Sequence, residues 1–290
     1  MYFLIADPIE RVAFTIFGQD VYWYAIFILF AALSALGTGI YFGKKMGVNI
    51  DHLIDGFTIG LIVGVVFARL YYVLFELDRF PTFADVFDLR NGLAGLAIHG
   101  VIISMVIYIP LYCKWRKIDI LKMLELAAPG FLLAQALGRW GNFINQEAHG
   151  PLVPGATIIE QRQFLKNLLL PDFIVDQMYM EKYINNVWYQ GYFHPTFLYE
   201  MVWNLIGFAL ILILRKKLKN YYMGDSLAIY LIWYGVGRFF IEILRTDALL
   251  AGSLKIAQLV SILMVLAGAT LLVLRRVYKF RLERTMDVIK

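Results

Sequence analysis

The sequence predicts an all-α integral membrane protein with about seven transmembrane helices and one long extracytoplasmic loop or arm. Three observations predict it. The 290 residues are 60% hydrophobic and only 17% charged, whereas a soluble domain carries about 25% charged residues. The apolar residues gather in blocks of about 20, the length a helix needs to cross the hydrocarbon core. The basic residues collect in alternate connections between those blocks, which is the signature of membrane orientation.

The expected spans are Val21–Phe42, Gly56–Leu77, Gly92–Tyr112, Leu121–Arg139, Thr196–Leu214, Asp225–Ile243 and Ser253–Leu274. Asp7, Glu10 and Arg11 precede the first block, which is too long for the core of a secretory signal, so it reads as an uncleaved first span. Lys44 and Lys45 follow the first span, Lys114, Arg116 and Lys117 the third, Arg215, Lys216, Lys217 and Lys219 the fifth, and Arg275, Arg276, Lys279, Arg281 and Arg284 the seventh. The positive-inside rule then places the N-terminus outside and the C-terminus in the cytoplasm. In the second span Gly56, Gly60, Gly64 and Ala68 recur every four residues, the spacing that lets helices approach closely in lipid.

One connection is long. Residues 146–194 lie on the outer side, rich in Pro, Asn, Tyr and charge, with a short helix expected near Glu160–Leu169. The whole chain, 1–290, reads as a single polytopic domain with this arm inserted. There is no internal repeat of the kind that inverted-repeat transporters carry.

Several chemistries are not expected. The single cysteine, Cys113, rules out a disulfide framework and any CxxC site, and reads as a membrane-interface residue. The net charge of +5 is explained by orientation rather than nucleic-acid binding. No histidines or carboxylates show metal-ligand spacing, no nucleophile elbow is present, and no cofactor is expected.

Charges inside spans are the informative feature, because an arginine at a helix centre costs about 2.5–3.5 kcal/mol even on insertion scales. Arg69, Arg139 and Arg238 all fall in or at the end of apolar spans. In Gly138-Arg139-Trp140-Gly141-Asn142-Phe143-Ile144-Asn145-Gln146-Glu147 a helix would put Arg139, Asn142 and Asn145 on one face, with Glu147 just beyond. The bland alternative is a snorkelling arginine at a helix end. Tyr234, Arg238, Glu242 and Arg245 form a second stripe. Glu242 can pair with either arginine and leave the other guanidinium for an anion such as phosphate, or the stripe is a buried structural ion pair. His99, within the third span, is either a hydrogen-bonded structural residue or a proton carrier. In His194-Pro195-Thr196-Phe197-Leu198-Tyr199-Glu200, Thr196 caps the fifth span and Tyr199 and Glu200 occupy its first turn, as a helix start or a site.

Over essentially its whole length the sequence resembles the bacterial prolipoprotein diacylglyceryl transferases. The stretch Gly138–Glu147 resembles that family's signature. His99-Gly100, His194–Glu200 and Gly237-Arg238-Phe239-Phe240-Ile241-Glu242 occur in the family's order and spacing, and Trp23-Tyr24 also matches. Two departures stand out: Val101 replaces the second glycine of the usual His-Gly-Gly, and Phe197 stands where many members have Gln. The wording around the signature and Arg245-Thr246-Asp247 is closest to members from Gram-positive bacteria.

The resemblance implies transfer of a diacylglyceryl group from phosphatidylglycerol to the lipobox cysteine thiol of a prolipoprotein signal peptide, forming a thioether and releasing glycerol phosphate. It implies a multi-pass protein of the bacterial cell membrane, with the bilayer as a further partner and no nucleic acid. It implies a catalytic group of His99, Arg238, Glu242 and Tyr24, and a substrate-binding group of Arg139, Asn142, Asn145, Glu147, Tyr234 and Arg245. The rival class is a polytopic transporter or channel for an anionic or lipid substrate, in which the same charges would line a path.

Overall fold

The computed structural model describes residues 9–80, 97–184, 187–246, 250–251, 254–280 and 282–289. Among them seven helices are long and apolar enough to cross a membrane. They are α1 (Trp23–Lys45), α2 (Ile50–Phe75), α3 (Ile98–Arg116), α4 (Ile120–Ile144) and, after two short helices α5 (Ile158–Asn167) and α6 (Asp172–Gln177), α7 (Thr196–Lys217), α8 (Asp225–Leu244) and α9 (Ile256–Val277). The protein is a mostly helical, multi-pass membrane protein, as the apolar blocks predict. Ile28, Leu29, Phe30 and Leu33 of α1 are exposed, a placement that suits a lipid solvent rather than water.

The helices differ from the expected spans mainly at one end. α1, α3, α7 and α9 run on into Lys45, Arg116, Lys217 and Val277. Basic side chains in a last turn face the helix's negative end and reach outward on long stems, so apolar blocks underestimate these helices. α2 starts six residues earlier than expected, where the Asn49 side chain accepts from Asp51 N–H (2.8 Å). Residues 92–96 and 253, the starts of two expected spans, lie outside the described residues.

α4 is the central helix. It packs on α1, α7 and α8, and α8 packs on α9, while α2 and α3 form a pair at the side. The small-residue stripe admits a close neighbour as expected, and that neighbour is α3: a Cβ on Gly56 would meet the Tyr112 ring at 2.7 Å, and Tyr108 donates to the Gly56 carbonyl at 2.9 Å. Val101 packs opposite Gly64, so the stripe makes room for its side chain. Cys113 is a free, buried thiol in the last turn of α3.

At the basic end of the bundle α4, α7, α8 and α9 share a buried ion network. Glu125 is fully buried. Its Oε1 accepts from Arg215 Nε (2.7 Å) and Ser226 Oγ (2.5 Å), and its Oε2 from the backbone N–H groups of Gly224 (2.9 Å) and Ser226 (3.0 Å). Asp225 accepts from Arg275 Nη1 (3.0 Å) and Arg276 Nη2 (2.5 Å).

Residues 146–194 fold at the opposite end, the arm end. Thr157 caps α5 by accepting from Glu160 N–H (3.2 Å), and Glu160 answers by accepting from Ala156 N–H (2.8 Å), a reciprocal cap that explains the expected helix. Arg162 joins α5 to α6 through Asp172 and Asp176. The hairpin that follows, β3 (Tyr179–Ile184) with β4 (Val187–Tyr192), and the hairpin β1 (Val12–Ile16) with β2 (Gln19–Tyr22) leading into α1 add small sheets to the expected helices. The arm has a core of its own, in which Leu165, Val175 and Phe193 pack with Phe143 of α4 and Phe197 of α7. Phe197 is therefore a packing residue.

Candidate active site

Four segments meet at the arm end, and local chain geometry brings them there. α4 ends at Ile144, and the chain then turns through Gln146 and Ala148, both left-handed (φ 53 and 54). Gln146 N–H donates to Phe143 O (3.0 Å) and Glu147 N–H to Asn142 O (3.0 Å). This closed helix end satisfies the last carbonyls and folds Glu147 back over α4. Its carboxylate accepts from Asn142 Nδ2 (2.9 Å) and Asn145 Nδ2 (3.3 Å). The expected convergence of Arg139, Asn142, Asn145 and Glu147 is present: Arg139 Nη1 donates to Asn142 Oδ1 at 3.1 Å.

The start of α7 is tied to that turn. Phe197 N–H and the Thr196 hydroxyl both donate to the Ala148 carbonyl, at 3.0 and 2.5 Å. Thr196 thus differs from the expected cap. It lies inside the helix, Pro195 is the cap residue, and the hydroxyl anchors the turn instead. The His194 imidazole, pushed below its usual range by burial, pairs through Nδ1 with the Tyr199 hydroxyl (3.0 Å).

That anchoring sets Glu200, one turn into α7, between two arginines. Glu200 Oε1 lies 2.5 Å from Arg139 Nη2, and Oε2 lies 2.9 Å from Arg238 Nη1. Arg238 Nη2 also reaches Glu242 at 2.7 Å, and Arg245 Nε stands 4.0 Å from the same carboxylate. The Tyr234 hydroxyl is 3.5 Å from Glu200. Glu200 and Glu242 are almost fully enclosed, while the Arg139 and Arg238 side chains keep 18% and 14% exposure. The carboxylates are the buried part of the cluster, and the arginines its more exposed part. The expectation that one arginine would lack a carboxylate is corrected, because Glu200 supplies a second acid.

The sequence leaves Glu200 open as part of a helix start or of a site. The available signal was a carboxylate one turn inside an apolar span.

The remaining residues surround this core. Tyr24, in the first turn of α1, lies against Gly141, where an added Cβ would meet its ring at 2.6 Å. Glycine is therefore what lets the tyrosine approach Arg139's helix. Arg11 donates to the Asn145 carbonyl (3.1 Å). Lys255 caps α8 by donating to the carbonyls of Glu242 (2.6 Å) and Arg245 (3.2 Å). His99 is the second residue of α3, exposed, with its ring stacked on Tyr71 (5.7 Å). It stands at a helix start rather than in mid-span, and among the described residues no hydrogen bond joins it to the arginines. Arg69 lies over the Phe80 ring (4.8 Å), apart from the cluster. Asp247 lies outside the described residues. An open cavity of about 500 Å³ lined by Cys113, Lys114, Lys117 and Asp119 sits at the basic end, far from this chemistry.

Three arginines and three glutamates (Arg139, Arg238 and Arg245 with Glu147, Glu200 and Glu242) leave the resting cluster formally neutral. Guanidinium N–H groups remain on both central arginines for an incoming anion. Fixed cations in a dry setting stabilise charge that develops on a leaving oxyanion.

Comparisons with known proteins place the chain among relatives over most of its length. The family model described as prolipoprotein diacylglyceryl transferase matches residues 11–274. A phosphatidylglycerol–prolipoprotein diacylglyceryl transferase from Bacillus cereus (strain G9842) is 44% identical over 269 residues, covering 92% of this chain and 93% of that protein. Proteins of the same name from Bacillus mycoides (strain KBAB4) and Bacillus thuringiensis subsp. konkukian (strain 97-27) are each 43% identical over the same shares.

Proposed function

The chain belongs to the prolipoprotein diacylglyceryl transferase family, and from that premise we propose that the arginine–glutamate cluster at the arm end is its active site. The protein is an enzyme that carries out the diacylglyceryl transfer step of lipoprotein maturation, with phosphatidylglycerol and prolipoproteins as substrates and the bilayer as its setting. The observation that supports the site reading most is Glu200, which holds guanidiniums from two separate helices within reach of one anion.

In this reading the acceptor is the lipobox cysteine. Its sulfur attacks the diacylglyceryl carbon bonded to the phosphate oxygen. A C–S bond forms, the C–O bond breaks, and its electron pair leaves on glycerol phosphate. Arg139 and Arg238 bind the phosphate and stabilise the departing charge. Glu200 and Glu242 space and orient the two forks, and Arg245 and Tyr234 complete that wall. Asn142, Asn145 and Glu147 fix Arg139 from the other side, and Tyr24 closes the pocket. His99 takes the thiol proton. The arm, 146–194, helps hold the peptide.

The test is a reaction of purified protein, phosphatidylglycerol and a lipobox peptide followed by mass spectrometry. The expected result is thioether-linked diacylglyceryl peptide and glycerol phosphate in equal amounts. Peptide acylated through an ester or thioester, or product without glycerol phosphate, would contradict the reading.

The orientation follows from the loop charges: N-terminus and arm outside the bacterial cell membrane, C-terminus in the cytoplasm. Reporter fusions after Lys217 and Arg276 should report cytoplasm, and one near Gln177 the outside. A cytoplasmic signal at Gln177 would overturn the orientation.

A further inference from the structure

One helical turn deeper than the arginines lies a second polar layer. Gln135 precedes Arg139 by four residues on α4, Tyr230 precedes Tyr234 by four on α8, and Asn204 follows Glu200 by four on α7. Each therefore sits about 6 Å further toward the bilayer middle than its partner above. Gln135 Nε2 donates to the Tyr230 oxygen at 3.0 Å, and the Tyr230 ring stacks beneath Tyr234 at 5.8 Å and 11°.

Because Tyr230 accepts this bond, its own O–H remains available to donate. The layer is also short of partners. Gln135 Oε1 and both amide atoms of Asn204 are buried without a hydrogen bond among the described residues. In lipid no solvent can make up that deficit. Gln135, Tyr230 and Tyr234 each keep part of their surface exposed, as Arg139 does.

We infer that the Tyr230–Gln135 pair is a second contact for the donor lipid and receives the ester carbonyls of its diacylglyceryl moiety. This rests on the reading of the cluster as the phosphate site. In a phospholipid the ester carbonyls lie on the acyl side of the phosphate, which is the direction of this layer. They are acceptors and need a donor, and Tyr230 O–H is one whose oxygen is already fixed by Gln135. Two points of attachment, phosphate above and carbonyl below, hold the carbon between them at a set position for attack. Tyr230 is in this sense a positioning residue that also reads the ester linkage.

The test compares two donors in the same assay: diester phosphatidylglycerol and its dialkyl-ether analogue of equal chain length, which lacks the carbonyls. Wild type should favour the diester by about tenfold in kcat/KM, the scale of one good hydrogen bond. Tyr230→Phe keeps the stacked ring and removes only the hydroxyl. It should lose about tenfold on the diester, change little on the ether, and bring the ratio near one. Gln135→Leu, which frees the hydroxyl from its partner, should lower the ratio in the same direction.

A wild type that uses both donors equally would overturn the inference, as would a Tyr230→Phe enzyme that keeps the wild-type ratio. Equal losses on both donors would assign the layer to an ordered water or to packing, and would overturn it too. A wild type that transfers neither donor would overturn the phosphate-site reading beneath it.

Discussion

Arg139→Ala is expected to abolish diacylglyceryl transfer, and Arg139→Lys to recover little of it. Arg139 divides its fork between the Glu200 carboxylate and the Asn142 amide. A lysine ammonium is a single point on a flexible stem and cannot fill both positions while also binding two phosphate oxygens. Removing one preorganised charge stabiliser typically costs about 10²–10³ in rate. The fold should survive, because Glu200 keeps Arg238 and so is not left as an unpaired buried charge. The check is transfer activity in purified variants whose melting temperatures stay within a few degrees of wild type. Near-normal activity in Arg139→Lys would exclude fork-like binding of the phosphate.

His99→Gln is expected to lower kcat by roughly 10²–10⁴ if the imidazole takes the thiol proton, the usual contribution of a general base. The loss should shrink as the pH approaches the reference thiol pKa of about 8.5, because solution base then supplies the thiolate. The ring is exposed at the start of α3 and stacked on Tyr71. The competing account is that Arg139 and Arg238 ionise the thiol by their field alone, leaving His99 to orient a lipid. A pH–rate profile of wild type and variant on one peptide separates the two. A uniform loss from about pH 6 to 9 assigns His99 to positioning.

The seven spans were legible because lipid forces every spanning helix to be apolar for a fixed length. The Arg139–Glu147 group was legible because its members lie within nine residues, where helix periodicity alone brings them together. Glu200 was not. In the sequence it is an acid in a helix's first turn, which helix polarity already explains. Its role depends on the Ala148 carbonyl that pins Thr196 and Phe197 beside α4. The Gln135–Tyr230 layer was hidden for the same reason: the register between helices decides it, and a single span does not record that register. The β3–β4 hairpin escaped because it lies in the long polar connection, away from the membrane's strong patterning.

The buried network at the other end bears on how the protein is made. Glu125 is bonded to Arg215, 90 residues later, and to Ser226, 101 residues later. Synthesis runs from the N-terminus, so α4 emerges with this carboxylate long before its partners exist. A lone acid within the hydrocarbon costs about 2.5–3.5 kcal/mol even by insertion measurements. On that cost, the first two turns of α4 are expected to stay at headgroup depth until α7 and α8 have been threaded. Glu125, hidden in the finished enzyme, would then gather its donors only as the late helices pack.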